Sequence, residues 1–283
     1  MNKTKAKNRL SLFLSYFLSL MLTLLMCSAV VGMTLCNSSF CKTQILKSGF
    51  SQVVCTELKE NYESYGAAGG FDKQVMTSFI SEGQIQTDMF AAVDSLYRGE
   101  RELLQHPEIK DAALKTFETD LKKRNITVTE NIKEGLNQLA DGCRLDYESY
   151  VSVMMSGYIA PLVPKVNRLA IASLAFFSVA SIFTVLLLFK TERDWEKRIS
   201  DIVYALIATA AFCFLLVLAG KMFFPIERIN VSPKSAYVFL VQYVASVFQA
   251  VLYFGIINTI LAAAFIITTK TKRFQKYYSQ RNF

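Results

Sequence analysis

Four long apolar blocks constrain this chain more than any other feature. They run Leu10–Leu35, Val166–Phe189, Ile202–Phe224 and Tyr237–Thr269. About 20 residues cross the ~30 Å of bilayer hydrocarbon at 1.5 Å per residue, and each block reaches that length. A helix buried in a soluble protein keeps a polar face, and these blocks show almost none. Each is therefore read as a membrane span. The interior of every block lacks Asp, Glu, Lys, Arg and His, which argues against a proton relay or voltage sensor built on intramembrane charge.

The net charge of +8 resolves once it is divided by position. Residues 1–9 carry Lys3, Lys5, Lys7 and Arg9 with no acid, and the stretch after Thr269 carries Lys270, Lys272, Arg273, Lys276 and Arg281, again with none. Between them, residues 190–201 mix Lys190, Arg193, Lys197 and Arg198 with acids. Residues 36–165, by contrast, hold 14 basic and 18 acidic side chains, a net of −4. Cytoplasmic Lys and Arg next to span ends set orientation, so both termini are expected in the cytoplasm of a cell-membrane protein. Position likewise assigns the basic, aromatic tail with Phe274, Tyr277 and Tyr278 to anionic headgroups rather than to nucleic acid. The first block has the basic start of a signal peptide, but its 26 residues exceed a signal core and no A-x-A-like site follows. It is expected to remain as a span.

These boundaries define the expected organisation. A basic tail (1–9) leads into span 1 (10–35), an extracytoplasmic domain (36–165) and span 2 (166–189). A cytoplasmic loop (190–201), span 3 (202–224), a short external loop (225–236), span 4 (237–269) and a basic tail (270–283) complete it. The fold class is all-α: four transmembrane helices plus a helical bundle inserted between spans 1 and 2.

Within 36–165 helix signals dominate. Leu46, Phe50, Val53, Val54, Leu58, Tyr62 and Tyr65 recur at helical spacing, predicting one long helix that rises from span 1 and stops at Gly66–Gly70. A short helix follows from Asp72 to Ile80. Ser81-Glu82-Gly83-Gln84 has capping-box spacing, with Gly99 placed to end the helix it opens. Pro107 suits a first helical turn. Thr127-Val128-Thr129-Glu130 offers a second capping box, Asp141-Gly142 is expected to interrupt the helix it opens, and a further stretch continues through Met154. Pro161 and Pro164 separate this bundle of about five helices from span 2.

Cys36, Cys41, Cys55 and Cys143 all fall in this domain. In an oxidising compartment they permit three pairings, and in a reducing one four free thiols; spacing does not choose. Cys27 and Cys213 lie in spans as small hydrophobes. In span 4, Gly255, Thr259 and Ala263 form a small-xxx-small stripe that lets a neighbouring helix approach, and Gln242, Gln249 and Asn258 are expected to hydrogen-bond between helices. Asn37-Ser38-Ser39, Asn125-Ile126-Thr127 and Asn230-Val231-Ser232 match glycosylation acceptors.

No pattern for chemistry is found. His106 is the only histidine, so H-E-x-x-H and every other two-histidine motif fails, and next to Pro107 it is expected as a solvated turn residue. No G-x-G-x-x-G, Walker-type or G-x-S-x-G sequence occurs. Neither metal nor cofactor nor nucleic-acid partner is expected. The reading is a non-enzymatic membrane protein, surrounded by lipid, whose outside domain binds a protein partner, a ligand or another copy. The rival is a transporter or channel component with Gln242, Gln249 and Asn258 on its path.

Overall fold

The computed structural model describes residues 2–100, 105–152, 161–192, 194–223 and 231–281, with side-chain surroundings given between Arg9 and Thr271. Ten helices and no strand occur among the described residues. They are α1 (Asn2–Met33), α2 (Ser38–Ser48), α3 (Phe50–Gly69), α4 (Lys73–Thr77), α5 (Glu82–Arg98), α6 (Pro107–Lys123), α7 (Glu130–Val151), α8 (Val163–Thr191), α9 (Trp195–Phe223) and α10 (Lys234–Arg281). Met154, Arg193, Phe224 and Asn230 lie outside the described residues, as do the side chains of residues 1–8 and 272–283.

The chain divides into two compact units. The first comprises residues 1–35, 167–229 and 244–283, and the second residues 36–166 and 230–243. Helix α10 supplies its first ten residues to the second unit and the rest to the first.

The four apolar blocks are realised as helices long and apolar enough to cross a membrane: Arg9–Met33, Val163–Thr191, Trp195–Phe223 and Lys234–Thr271. Phe176, Ile182, Leu215 and Phe223 on them are each more than half exposed, the reverse of a soluble surface and the pattern expected where lipid is the solvent. All four helices extend past an expected edge of their blocks. In particular, α8 ends at Thr191 and α9 starts at Trp195, so most of the expected 190–201 loop is helical. Asp194 explains the early start, since its Oδ1 accepts the Glu196 backbone N–H at 3.2 Å.

Hydroxyls join α1 to α9 inside the first unit. Ser11 Oγ donates to the Asp201 carboxylate, Ser15 Oγ donates to the Asp201 carbonyl at 2.8 Å, and Thr209 Oγ1 reaches the Ser19 carbonyl at 3.3 Å. Asp201 is thus half-buried and held by α1.

In the second unit, each helix turns an apolar stripe to one shared core. Val54, Leu58, Tyr62, Met76, Ile85, Met89, Val93, Ile109, Phe117 and Tyr147 are buried there. The expected capping at Ser81 is present, its Oγ accepting the Gln84 N–H at 3.3 Å. Gly99 ends α5 at φ 81, as only a residue tolerant of the left-handed region does easily. Pro107 occupies the first turn of α6.

Four local expectations are corrected. The helix after span 1 does not rise unbroken: α1 ends at Met33, Asn37 caps α2, and Gly49 at φ 63 closes α2 and re-aims the chain into α3. The glycine cluster remains helical to Gly69 and is closed by Gly70 at φ 73; Gly66 lies flush on Met76, where a Cβ would sit 2.3 Å from Met76 Cγ. Asp141-Gly142 does not interrupt α7, whose buried stripe Leu136, Ala140, Cys143, Tyr147 and Val151 outweighs the ~1 kcal/mol cost of one glycine. Finally, Thr129 rather than Thr127 flanks the start of α7, and makes no side-chain cap bond.

Candidate functional site

One cluster of polar side chains lies where α5, α6 and α7 meet. His106 stands as the residue before α6, fixed by its own backbone: its N–H donates to Glu148 Oε1 at 2.9 Å. The imidazole is only 8% exposed. This overturns the expectation of a solvated turn residue. The cause is tertiary, since Tyr147 of α7 packs against the ring at 5.4 Å between centroids.

Two carboxylates converge on that ring. Glu108, one residue past Pro107, places Oε1 2.8 Å from His106 Nδ1. Asp88 of α5 places Oδ2 3.7 Å from the same nitrogen and accepts the Tyr147 hydroxyl at 2.6 Å. Candidate ligand atoms of Asp88, His106 and Glu108 all lie within 4.8 Å of one another. His106 Nε2, on the far side of the ring, is buried with no hydrogen-bond partner.

A second tier of charge surrounds the trio. Arg144 donates to both oxygens of Glu148 at 2.8 and 2.9 Å, which orients the carboxylate that holds the His106 backbone. Asp141 is bridged by Lys110 at 2.7 Å and Arg144 at 3.4 Å. The Lys110 hydrogen bond is the main reason its carboxyl is held below the usual range. Burial, then the bond to Asp88, pushes the Tyr147 phenol up. Partial desolvation pushes Glu108 up, but a backbone hydrogen bond and His106 outweigh it and hold the group low.

The residues singled out from sequence are placed as follows. All six cysteines are free thiols; Cys41, Cys55 and Cys143 belong to the bundle core and Cys36 is half-buried. Gln242 Nε2 donates to Gln44 Oε1 of α2 at 3.4 Å. Asn258 and Thr259 bond back to carbonyls of their own helix, Phe254 and Gly255, each at 2.9 Å. Gly255 backs onto Cys213 and Phe214, where a Cβ would meet each at 3.1 Å. Gln249 and Ala263 are exposed.

The first unit holds a cleft of about 710 Å³ lined by Ser11, Ser15, Ser19, Lys197, Asp201 and Tyr204 among others. Its serines recur every fourth residue on α1, a hydroxyl stripe that sequence reading passed over. The convergence at His106 was also missed. Its sole local signal is His-Pro-Glu at a helix start, and Asp88 is 18 positions earlier with nothing in the sequence to join them.

No known protein family, curated protein or solved structure matches the chain. The fold itself defines the class: all-helical among the described residues, with four helices long and apolar enough to cross a membrane.

Proposed function

We propose that this chain is a non-enzymatic multi-pass protein of the cell membrane, its termini cytoplasmic, whose helical bundle lies on the extracytoplasmic side and binds a partner or ligand. The charge asymmetry along the chain supports the orientation. The observation that carries the binding reading is the attachment of α10 within the bundle. Glu57 Oε1 of α3 accepts the Ser235 backbone N–H at 3.2 Å. Phe50 of α3 packs on Phe239 at 5.3 Å, Phe40 of α2 packs edge-on against Tyr243 at 5.4 Å, and Gln44 meets Gln242. Whatever shifts α2 or α3 acts directly on the first turns of a helix that includes the fourth apolar span.

Photo-cross-linking from surface positions of the bundle in native membranes tests this reading. A reproducible adduct with one protein or ligand is expected; recovery of lipid alone contradicts it. The rival reading remains a transporter or channel component with Gln242, Gln249 and Asn258 on its path, and a Gln249→Leu variant that left every measurable flux intact would remove its main support.

A further inference from the structure

Most acidic side chains around the α5–α6–α7 junction are matched by Lys or Arg, as Asp141 and Glu148 are. Asp88 and Glu108 are not. Among the described residues their one cationic neighbour is His106. Asp88 is 19% exposed and His106 8%, whereas Glu108 is 55% exposed, so water screens the Asp88 side of this pair only in part.

The imidazole alone resolves the arrangement poorly in each of its states. With the proton on Nδ1, one hydrogen faces two acceptors, and Nε2 is a buried lone pair without a donor. With the proton on Nε2, the Nδ1 lone pair confronts two carboxylate oxygens. Fully protonated, the ring still leaves a buried N–H without an acceptor. That Nε2 orphan persists whatever Nδ1 meets, so the case for an ion rests on the two carboxylates that converge on Nδ1.

We propose that Asp88, His106 and Glu108 bind a divalent transition-metal cation of the zinc type through one imidazole nitrogen and two carboxylate oxygens, and that this cation is a ligand of the bundle; the second clause rests on the reading of the bundle as a ligand-binding domain. The donor set is the mixed nitrogen and oxygen kind that suits such ions rather than calcium or magnesium. Bond lengths near 2.1 Å in a tetrahedral arrangement require ligand atoms about 3.4 Å apart. The observed 2.8 Å and 3.7 Å separations from Nδ1 bracket that value, and all three ligand atoms lie within 4.8 Å of one another. Metal ligation turns the Nδ1 lone pair from a repulsive contact into a bond, and it matches two negative charges with two positive ones. Three protein ligands leave a position for water or for a group on a partner. Tyr147, bonded to Asp88, and Glu148, bonded to the His106 backbone, act as positioning residues. Bound metal would tie α5 to the start of α6, with α7 held through Tyr147.

The test uses the full-length protein in detergent, stripped with chelator, and Zn²⁺ alone as the probe, with Mg²⁺ as comparison. Calorimetry is expected to find one Zn²⁺ per chain that Mg²⁺ does not mimic, and thermal unfolding is expected to shift upward with Zn²⁺. His106→Gln and Glu108→Gln should each weaken binding at least about tenfold, while Glu134→Gln on the exposed face of α7 should not. Glu108 is 55% exposed, so its variant tests the site even if the buried His106 variant fails to fold. Absence of Zn²⁺ binding, or equal binding by wild type and Glu108→Gln, overturns the proposal. Failure here together with a recovered cross-linked partner would leave the binding role of the bundle standing. Zn²⁺ binding without any partner or other ligand would leave the site standing.

Discussion

Glu57 and Ser235 are 178 positions apart in sequence, yet the carboxylate of one receives the backbone N–H of the other at 3.2 Å. The bond falls in the first turn of α10, where four backbone donors lack helical partners and the helix dipole favours negative charge. Glu57 thus does for α10, from another helix, what an N-cap residue does locally. Replacing Glu57 with Ala should cost about 0.5–2 kcal/mol of bundle stability. Urea unfolding of the detergent-solubilised protein measures it, and an unchanged midpoint would count against the contact.

Gly66 should resist enlargement. Its would-be Cβ lies 2.3 Å from Met76 Cγ and 3.3 Å from the Phe71 carbonyl oxygen, and Met76 is fully buried. Gly66→Ala is expected to destabilise the bundle by about 1–3 kcal/mol through overpacking, despite the higher helix propensity of alanine. Gly142→Ala on α7, where the new Cβ meets open space, should be neutral or stabilising. The two variants compared by thermal melting separate packing from propensity.

Tyr62 is buried at the centre of the core and donates its hydroxyl to the Cys143 carbonyl at 2.6 Å. Tyr62→Phe should cost about 0.5–1.5 kcal/mol, the net worth of one hydrogen bond. Tyr62→Ala should cost about 3–5 kcal/mol by opening a cavity. Chemical denaturation of both variants reads the difference.

The thiols should react in an order set by burial. Cys41 is pushed up to about 11 and Cys143 to about 12, each mainly by desolvation. Cys36 is raised by a lesser burial. At pH 8 the thiolate fraction and access both favour Cys36. Maleimide labelling followed by peptide mass spectrometry should modify Cys36 first, with Cys41 and Cys143 reacting only on unfolding.

Glu100 gives a pH signature with a defined sign. A hydrogen bond from Arg98, then one from Ser95, holds its carboxyl down to about 2. A depressed carboxylate contributes stability that is present above its unfolded value near 4.3 and lost as pH falls through the folded value. Side-chain NMR titration should therefore find Glu100 ionised at pH 4, and Arg98→Gln should move its midpoint upward. The group is exposed, so salt should weaken the effect.

The parts of this fold legible in sequence are those governed by local or one-dimensional rules. Span length follows from bilayer thickness, and the Ser81 cap, the Gly99 stop and the Pro107 start follow from backbone geometry. Gly49 was illegible because a single glycine inside an apolar stripe carries a weak signal, although its φ of 63 closes α2 onto the Ile45 and Leu46 carbonyls. Asp141-Gly142 failed as a break for the opposite reason, a strong buried stripe that overrides one glycine. The His106 site was invisible because its parts come from three helices. Burial of the ring depends on Tyr147, and no local pattern announces a contact 41 positions away.

The central claim is a membrane topology in which the bundle and the termini face opposite compartments. Protease added to intact cells, with fragments read by epitopes in the bundle and at the carboxyl end, measures it most directly. Cleavage within residues 36–165 with the tail from Lys270 onward protected is the expected result. An untouched bundle and a trimmed tail would contradict the account.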